Sequence, residues 1–299
     1  MVIDDERQAV GDGIVEYDPS GRYGRYAEVL GKGAMKTVYR AFDFTACKEV
    51  AWNKATLPCA DGPDDLALAV ETELRALRRL YGHKSILKLY TSWADETSGR
   101  PNFITELCAS SLLAFRLRHG RISRKAVKSW ARQILLGLVH MHSRTPAPII
   151  HRDLKCENIL LKHSSSTALK IADFGSAAFL EAGRRMHVAV GTPEFMAPEM
   201  FEEDYDELVD VYSFGMCLLE LLTGECPYSE CKSLPEIYKK VSSGRKPESL
   251  ARVKDIQALC LIRRCLVHAS KRPSAKELLS DPFFVSHPIR ITCTDPHII

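Results

Sequence analysis

No run of eighteen apolar residues occurs anywhere in this 299-residue chain, which removes the usual signature of a membrane-spanning helix. The opening residues, MVIDDERQAV, are acidic and lack the apolar core of a secretory leader, so a cytoplasmic location is expected. Charge of one sign is also missing: 41 Lys and Arg stand against 38 Asp and Glu, with no block of like charge. A net charge of +3 is too mild for a nucleic-acid or membrane footprint, and neither is an expected partner. The ten cysteines include no paired C-x-x-C, and Cys226 with Cys231 and Cys260 with Cys265 are spaced too widely for a zinc ribbon. Scattered through a long chain without a leader, they read as reduced thiols in packing and not as a disulfide framework. No segment repeats, and a 45% hydrophobic content is enough for one large domain or two small ones.

What is present changes character near residue 108. Before it, YAEVLGKGAMKTVYRAFD, KEVAWNKATL, SILKLYTSWAD and NFITELCA are short β-branched or aromatic runs separated by turn formers, which predicts an antiparallel meander. One helix interrupts them: DDLALAVETELRALRRLYG opens on acids, carries Leu66, Val70, Leu74 and Leu77 at helical spacing, and stops at Gly82. After residue 108, SRKAVKSWARQILLGLVHMH, LVDVYSFGMCLLELLTG, LPEIYKKVSSG and DIQALCLIRRCLVH have 3.6-residue apolar periodicity, with Ser123 and Gly224 marking ends. KHSSSTALK reads as a polar hairpin.

The chemistry begins at HRDLKCENIL. A carboxylate (Asp153), a lysine two residues on (Lys155) and an amide three further (Asn158) can face one phosphoryl group: the acid orients a hydroxyl, the lysine neutralises charge, and the amide oxygen binds metal. Downstream, IADFGSA places Asp173 after an apolar strand, where a carboxylate can hold Mg²⁺ against phosphates. GTPEFMAPEM and DVYSFG follow.

In this order and spacing, H-R-D-L-K-x-x-N, D-F-G and A-P-E resemble the protein-kinase signature set over roughly residues 26 to 285, and Lys155 resembles the serine/threonine branch. The resemblance implies an α+β, two-lobed fold: a small antiparallel β N-lobe with one helix, a larger mainly α C-lobe, and ATP between them. The domain is expected over residues 23–285, with the N-lobe over 23–107 and the C-lobe over 108–285; residues 1–22 and 286–299 are expected as loose ends. ATP and Mg²⁺ are the implied cofactors and a protein bearing Ser or Thr the implied substrate.

One motif departs. In the kinase pattern V-A-I-K the alanine packs on adenine and the lysine reaches the phosphates; here VAWN puts Ala51 at the alanine and Asn53 at the lysine. Lys54 cannot simply substitute, because successive strand side chains face opposite ways, although a one-residue bulge would turn it inward. The glycine-rich loop GKGAMKTV keeps Gly31 and Gly33 but has Lys36 at the third glycine, on the same strand face as Val38, which is expected against adenine. Loss of the strand lysine with gain of a loop lysine resembles the with-no-lysine (WNK) kinases, the plant members most closely, and Lys36 is expected to carry the phosphate-binding charge.

That resemblance implies further roles. Glu73 fits the glutamate that pairs with the ATP-site lysine, with Glu71 the alternative; Thr105 fits the gatekeeper; Glu106 and Cys108 fall in the hinge whose backbone holds adenine. Asn158 and Asp173 are the implied metal ligands, and Thr192 is expected to bond Asp153 or Lys155. Arg152 is expected to meet the activation segment, Asp210 to brace the catalytic loop, and Glu199 to pair with Arg272. Where relatives have leucine and a phosphorylatable serine, this chain has Phe174, Ser176 and Val188. The resemblance also implies chloride as an inhibitory ligand beside the D-F-G turn, with weaker inhibition expected because Phe174 is bulkier than leucine and Ser176 more polar. A pseudokinase or scaffolding nucleotide-binding module is the alternative reading of the missing strand lysine, opposed by the intact Asp153, Asn158 and Asp173.

Overall fold

The computed structural model describes residues 13–56, 63–163, 168–181, 185–202 and 204–285, with the backbone alone for 63–67. The tail at 286–299, the hairpin tip at 164–167, the side chain of Leu66, and Cys59 and Cys293 lie outside the described residues. The chain forms two compact units, Met1–Tyr81 with Leu87–Cys108 and Gly82–Ile86 with Ala109–Ile299. The division expected at 107/108 therefore needs correcting by one short segment. Residues 82–86 belong to the second unit because the Ile171 N–H donates to the Ser85 carbonyl (2.7 Å) and Lys170 Nζ to the Ile86 carbonyl (3.3 Å).

The first unit is built on a six-stranded antiparallel sheet of β1 (Ile14–Tyr17), β2 (Tyr23–Lys32), β3 (Lys36–Asp43), β4 (Lys48–Ala55), β5 (Leu89–Ala94) and β6 (Pro101–Glu106). Its order is β1-β2-β3-β4-β6-β5, so the expected meander is broken at its end. The helix α1 (Pro63–Arg79) carries the chain across, and the buried β6 takes the interior place while the half-buried β5 becomes the edge. A second correction concerns residues 14–17, expected within a loose end. They pair with β2 because Gly24, lacking a side chain, admits Ile14, and because Glu16 accepts from Arg25 (2.6 Å) and Lys54 (2.8 Å). The sheet is apolar on both faces. Tyr23, Ala41, Val50, Trp52 and Ile104 form one cluster, and Ala55, Val70, Leu74 and Phe103 pack with α1 on the other.

The second unit is mainly helical. Its centre is α5 (Leu208–Thr223), buried without interruption from Val209 to Leu221, against which α3 (Arg124–His142) turns Val127, Trp130, Ile134, Leu138 and Met141 inward. Ser123 caps α3 by accepting from the Ala126 N–H, and Gly224 ends α5 at φ 78°. Around them lie α2 (Leu112–His119), a short α4 (Pro198–Phe201), α6 (Leu234–Ser242), α7 (Ile256–Cys265) and a short α8 (Ala275–Leu278). Two small sheets complete it: β7 (Ser110–Ser111), β9 (Ile159–Leu161) and β10 (Leu169–Ile171) in the order β10-β9-β7, and β8 (Ile149–Ile150) with β11 (Ala178–Phe179). An α+β architecture results, with strands first and helices after. No helix among the described residues is long and apolar enough to cross a membrane.

One ion pair bears on stability. Arg272, its side chain 1% exposed, pairs with both carboxylate oxygens of Glu199 and donates to the carbonyls of Leu208 and Val267. Glu199→Ala is expected to leave that guanidinium buried and unpaired at a cost of about 3–5 kcal/mol, whereas Glu49→Ala, which breaks the exposed pair with Arg40, should cost under about 1 kcal/mol. Urea midpoints of the two variants test the contrast.

Candidate active site

In the first unit, strand register brings together the residues expected at the nucleotide. Val38 pairs with Asn53, Lys36 with Ala55, Asn53 with Phe103 and Ala51 with Thr105, so Lys36, Val38, Ala51, Asn53 and Thr105 share one sheet face. The Lys36 ammonium is ion-paired with both carboxylate oxygens of Glu73 and lies 5.3 Å from the Phe103 ring centroid. Glu73 is 2% exposed, whereas Glu71 is on the outer face of α1, which decides between the two acids. Lys54 points the other way, with Nζ 2.8 and 3.0 Å from the Glu16 oxygens. No bulge interrupts the β3–β4 pairing. Buried Asn53 fills the lysine position with a neutral amide that donates to Thr105 Oγ1 (3.2 Å).

Gly31 and Gly33 lie at the β2–β3 turn. A Cβ at Gly31 would meet nothing within 4 Å and one at Gly33 only the Lys36 carbonyl at 3.6 Å, so the fold itself does not require glycine there. The open space fits close approach of a phosphate group to backbone. Thr105 is buried, Glu106 is 6% exposed, and Cys108 is half-buried just beyond β6. The Glu106 carboxylate accepts from the Lys88 N–H (2.9 Å) and its own N–H donates to the Lys88 carbonyl (3.0 Å). Its side chain therefore anchors the start of β5.

In the second unit, Asp153, Lys155, Asn158 and Thr192 form one hydrogen-bonded group. Thr192 Oγ1 donates to Asp153 Oδ1 (2.6 Å) and accepts from Lys155 Nζ (2.8 Å), and Lys155 Nζ lies 3.3 Å from Asp153 Oδ2. Asn158 Nδ2 donates to Asp153 Oδ2 (3.0 Å) and to its carbonyl (2.8 Å), so the amide oxygen faces elsewhere as an acceptor. Thr192 reaches Asp153 because Gly191 adopts φ 126°, where a Cβ would fall 2.4 Å from the Arg152 carbonyl oxygen.

Of the four non-glycine residues held in left-handed backbone among the described residues, two belong to this site, Arg152 at φ 67° and Asp173 at φ 63°. The first is fixed by Asp210, which accepts from the N–H groups of His151 (2.8 Å) and Arg152 (3.0 Å) and from His142 Nε2 (2.9 Å). Burial alone would raise the Asp210 pKa, but these bonds to its charged form hold it below the ordinary 3.8. The second is fixed through Ala172, whose N–H donates to the Asn158 carbonyl (2.9 Å) and whose carbonyl meets His151 Nε2 (3.0 Å). The turn bearing the exposed Asp173 is thus tied directly to the residue bearing the Asn158 amide. Phe174 is fully buried, 5.0 Å from the His151 ring. An exposed carboxylate beside an amide oxygen is a donor set suited to Mg²⁺, which binds through one or two protein oxygens plus substrate phosphates.

Arg152 meets the activation segment through the carbonyls of Ser176 (2.6 Å) and Ala177 (3.4 Å). It also donates to the Tyr205 hydroxyl (3.3 Å), which donates onward to the Val188 carbonyl (2.6 Å). Tyr205 is a residue that motif reading missed: it stands 53 positions from Arg152, and its only sequence signal is an aromatic ahead of the apolar run of α5.

The family profile described as "Protein kinase domain" matches residues 25–284. The chain belongs to the protein kinase family. It is 52% identical over 273 residues to the probable serine/threonine-protein kinase WNK4 of Arabidopsis thaliana, covering 91% of this chain and 47% of that protein. It is 50% identical over 271 residues to the serine/threonine-protein kinase WNK8 of the same plant, covering 90% and 47% respectively. The chain thus spans about half the length of the curated relatives it matches. The similarity to plant WNK kinases is the one that the lysine exchange pointed to.

Asp210 gives a test of how the catalytic loop is held. Its folded-state pKa is depressed, so its stabilising effect is complete above the unfolded value near 3.8 and is lost as pH falls below that. Asp210→Asn is expected to lower stability by about 2–4 kcal/mol near neutral pH and to flatten the fall in stability between about pH 5 and pH 3. Urea unfolding across that pH range measures both.

Proposed function

We propose that the chain is a serine/threonine protein kinase that transfers the γ-phosphoryl group of ATP to protein hydroxyls, with Lys36 doing the work usually given to a lysine at Asn53. The observation that carries the reading is the Lys36 ammonium held by buried Glu73 on the Val38–Asn53 face, while Lys54 is turned to Glu16. Asp153, steadied by Thr192, Asn158 and Lys155, accepts the hydrogen bond of the acceptor hydroxyl and takes its proton as the phosphoryl group moves. Lys155 balances the negative charge that gathers on the transferred group. Gly31 and Gly33 admit the phosphates, Ala51 and Val38 the adenine, and Glu106 through Cys108 its hydrogen-bonding edge. Asp173 and Asn158 would hold Mg²⁺, which when bound neutralises phosphate charge and orients the leaving oxygens.

Regulation follows from the segment after Asp173. Val188 cannot accept a phosphoryl group, and Arg152 already has partners in Ser176, Ala177 and Tyr205. Activity is therefore independent of phosphorylation at that position. Chloride inhibition is weak, since the bulk of Phe174 fills apolar space beside the turn and Ser176 adds polarity.

Lys36→Met is expected to lose about a hundredfold or more in phosphoryl transfer, a few kcal/mol of charge stabilisation, while Lys54→Met costs little. Adding Asn53→Lys to Lys36→Met should restore part of the activity; an inactive Lys54→Met beside an active Lys36→Met would reverse the assignment. Asp153→Asn should keep ATP affinity and lose turnover, whereas Asp173→Ala should weaken Mg²⁺-dependent ATP binding itself. A chain that binds nucleotide but shows no transfer in a single turnover would be a pseudokinase. Phosphatase treatment should leave activity in place, and replacing gluconate by chloride at fixed ionic strength should change it little.

A further inference from the structure

Charge balances over the whole chain but not along it. Between Glu106 and Asp153 no Asp or Glu occurs, while nine Arg and Lys do. Seven of the nine run from Arg116 to Arg132, on α2, the turn after it and the first half of α3. Neither helix has an acid in its first turn, where the positive end of the helix dipole favours one. Lys125 sits there in α3 instead, and Lys128 stands four residues from both Arg124 and Arg132, a spacing at which like charges repel. The acids that approach α3 are already engaged: Asp210 with His142, Asp255 with Arg124, Asp281 with Arg264, and Glu277 in the cap at Ser274. Lys128 donates to the Val285 carbonyl (3.0 Å). Arg118, Arg121, Lys125 and Arg132 are exposed and make neither a hydrogen bond nor an ion pair among the described residues.

We propose that the outer face of α3 docks an acidic segment of a partner protein. Lys125 and Arg132, seven residues and so about 10 Å apart, lie opposite the buried Val127, Ile134 and Leu138, and Leu136, 38% exposed, follows about 6 Å beyond. The complementary segment carries carboxylates at that separation and one apolar side chain past the second. Arg118 and Arg121 extend the positive charge ahead of the helix. A stripe one helix wide suits a segment; a bilayer or a duplex needs positive charge over a broad face, and the whole chain carries only +3. Cations left unpaired against a helix dipole give up local stability, a trade that functional surfaces make and idle ones do not require. None of the four is bonded to the Asp153 group, so docking is separate from chemistry and stands whether or not the chain transfers phosphate.

The test uses the full chain and three fluorescent probes: a peptide with Glu and Leu at the spacing above, the same peptide with Gln for every Glu, and vesicles of phosphatidylserine in phosphatidylcholine. At about 50 mM salt the Glu peptide is expected to bind about tenfold more tightly than the Gln peptide, and about 200 mM salt should shrink that difference severalfold by screening. Lys125→Glu with Arg132→Glu should abolish the difference while leaving the melting temperature equal to or above that of the unchanged chain, because an acid in the first turn suits the dipole. Arg121→Glu, in the turn ahead of the helix, should weaken the Glu peptide severalfold and serves if the double variant does not fold. Equal affinity for the two peptides, or a preference that survives these charge reversals, overturns the proposal. Vesicle binding that the reversals remove, without a Glu-peptide preference, gives the face to a membrane; a dimer in sedimentation that they dissolve gives it to a second copy of this chain. Either result overturns the acidic segment.

Discussion

The carboxylate of Asp210 is the constraint on which the catalytic geometry of the second unit depends. It is fully buried on the central helix, yet it accepts two backbone N–H groups and a histidine, so its charge is matched by donors within hydrogen-bond reach. Those two N–H groups belong to the turn that sends Arg152 into left-handed backbone. From that turn the chain runs to Asp153 in one direction and, through the Arg152 side chain, to Ser176, Ala177 and Tyr205 in the other. A single buried acid thus fixes both the turn that leads into Asp153 and the start of the segment that follows Asp173.

The first unit obeys a different constraint, the two-residue period of a strand. Because Asn53 and Lys54 face opposite ways, a lysine displaced by one residue is lost to its site, and here Lys54 pairs with Glu16 on the far side. A lysine on the neighbouring strand, in register with the same face, is not lost. Glu73 accepts it from β3, and Phe103 provides an aromatic floor for the ammonium.

Much of this was legible in the sequence where the interacting groups are close along the chain or obey a fixed period. Asp153, Lys155 and Asn158 lie within six residues, and the strand parity that separates Asn53 from Lys54 needs no tertiary information. Spacing put Glu73 ahead of Glu71 but left both open, since both are acids on one amphipathic helix, and burial decides between them. The strand at Ile14–Tyr17 was missed because its four residues are held mainly by what they meet, a glycine opposite Ile14 and two cations around Glu16. The exchange of β5 and β6 was equally hidden: both read as strands, and their order is set by which one is buried on both faces. Tyr205 becomes visible only when distant segments meet.

The burial of Glu73 also constrains how such a site could arise from one with a lysine on β4. A chain with neither lysine would strip from a carboxylate that is 2% exposed the ammonium that now pairs with it, a defect of about 3–5 kcal/mol in a fold whose whole margin is of order 5–15 kcal/mol. A chain with both would place two ammonium groups around one carboxylate that has oxygens enough for each. Between a site with a lysine on β4 and this one, the path that keeps Glu73 paired throughout is therefore the one in which the loop lysine is gained before the strand lysine is lost.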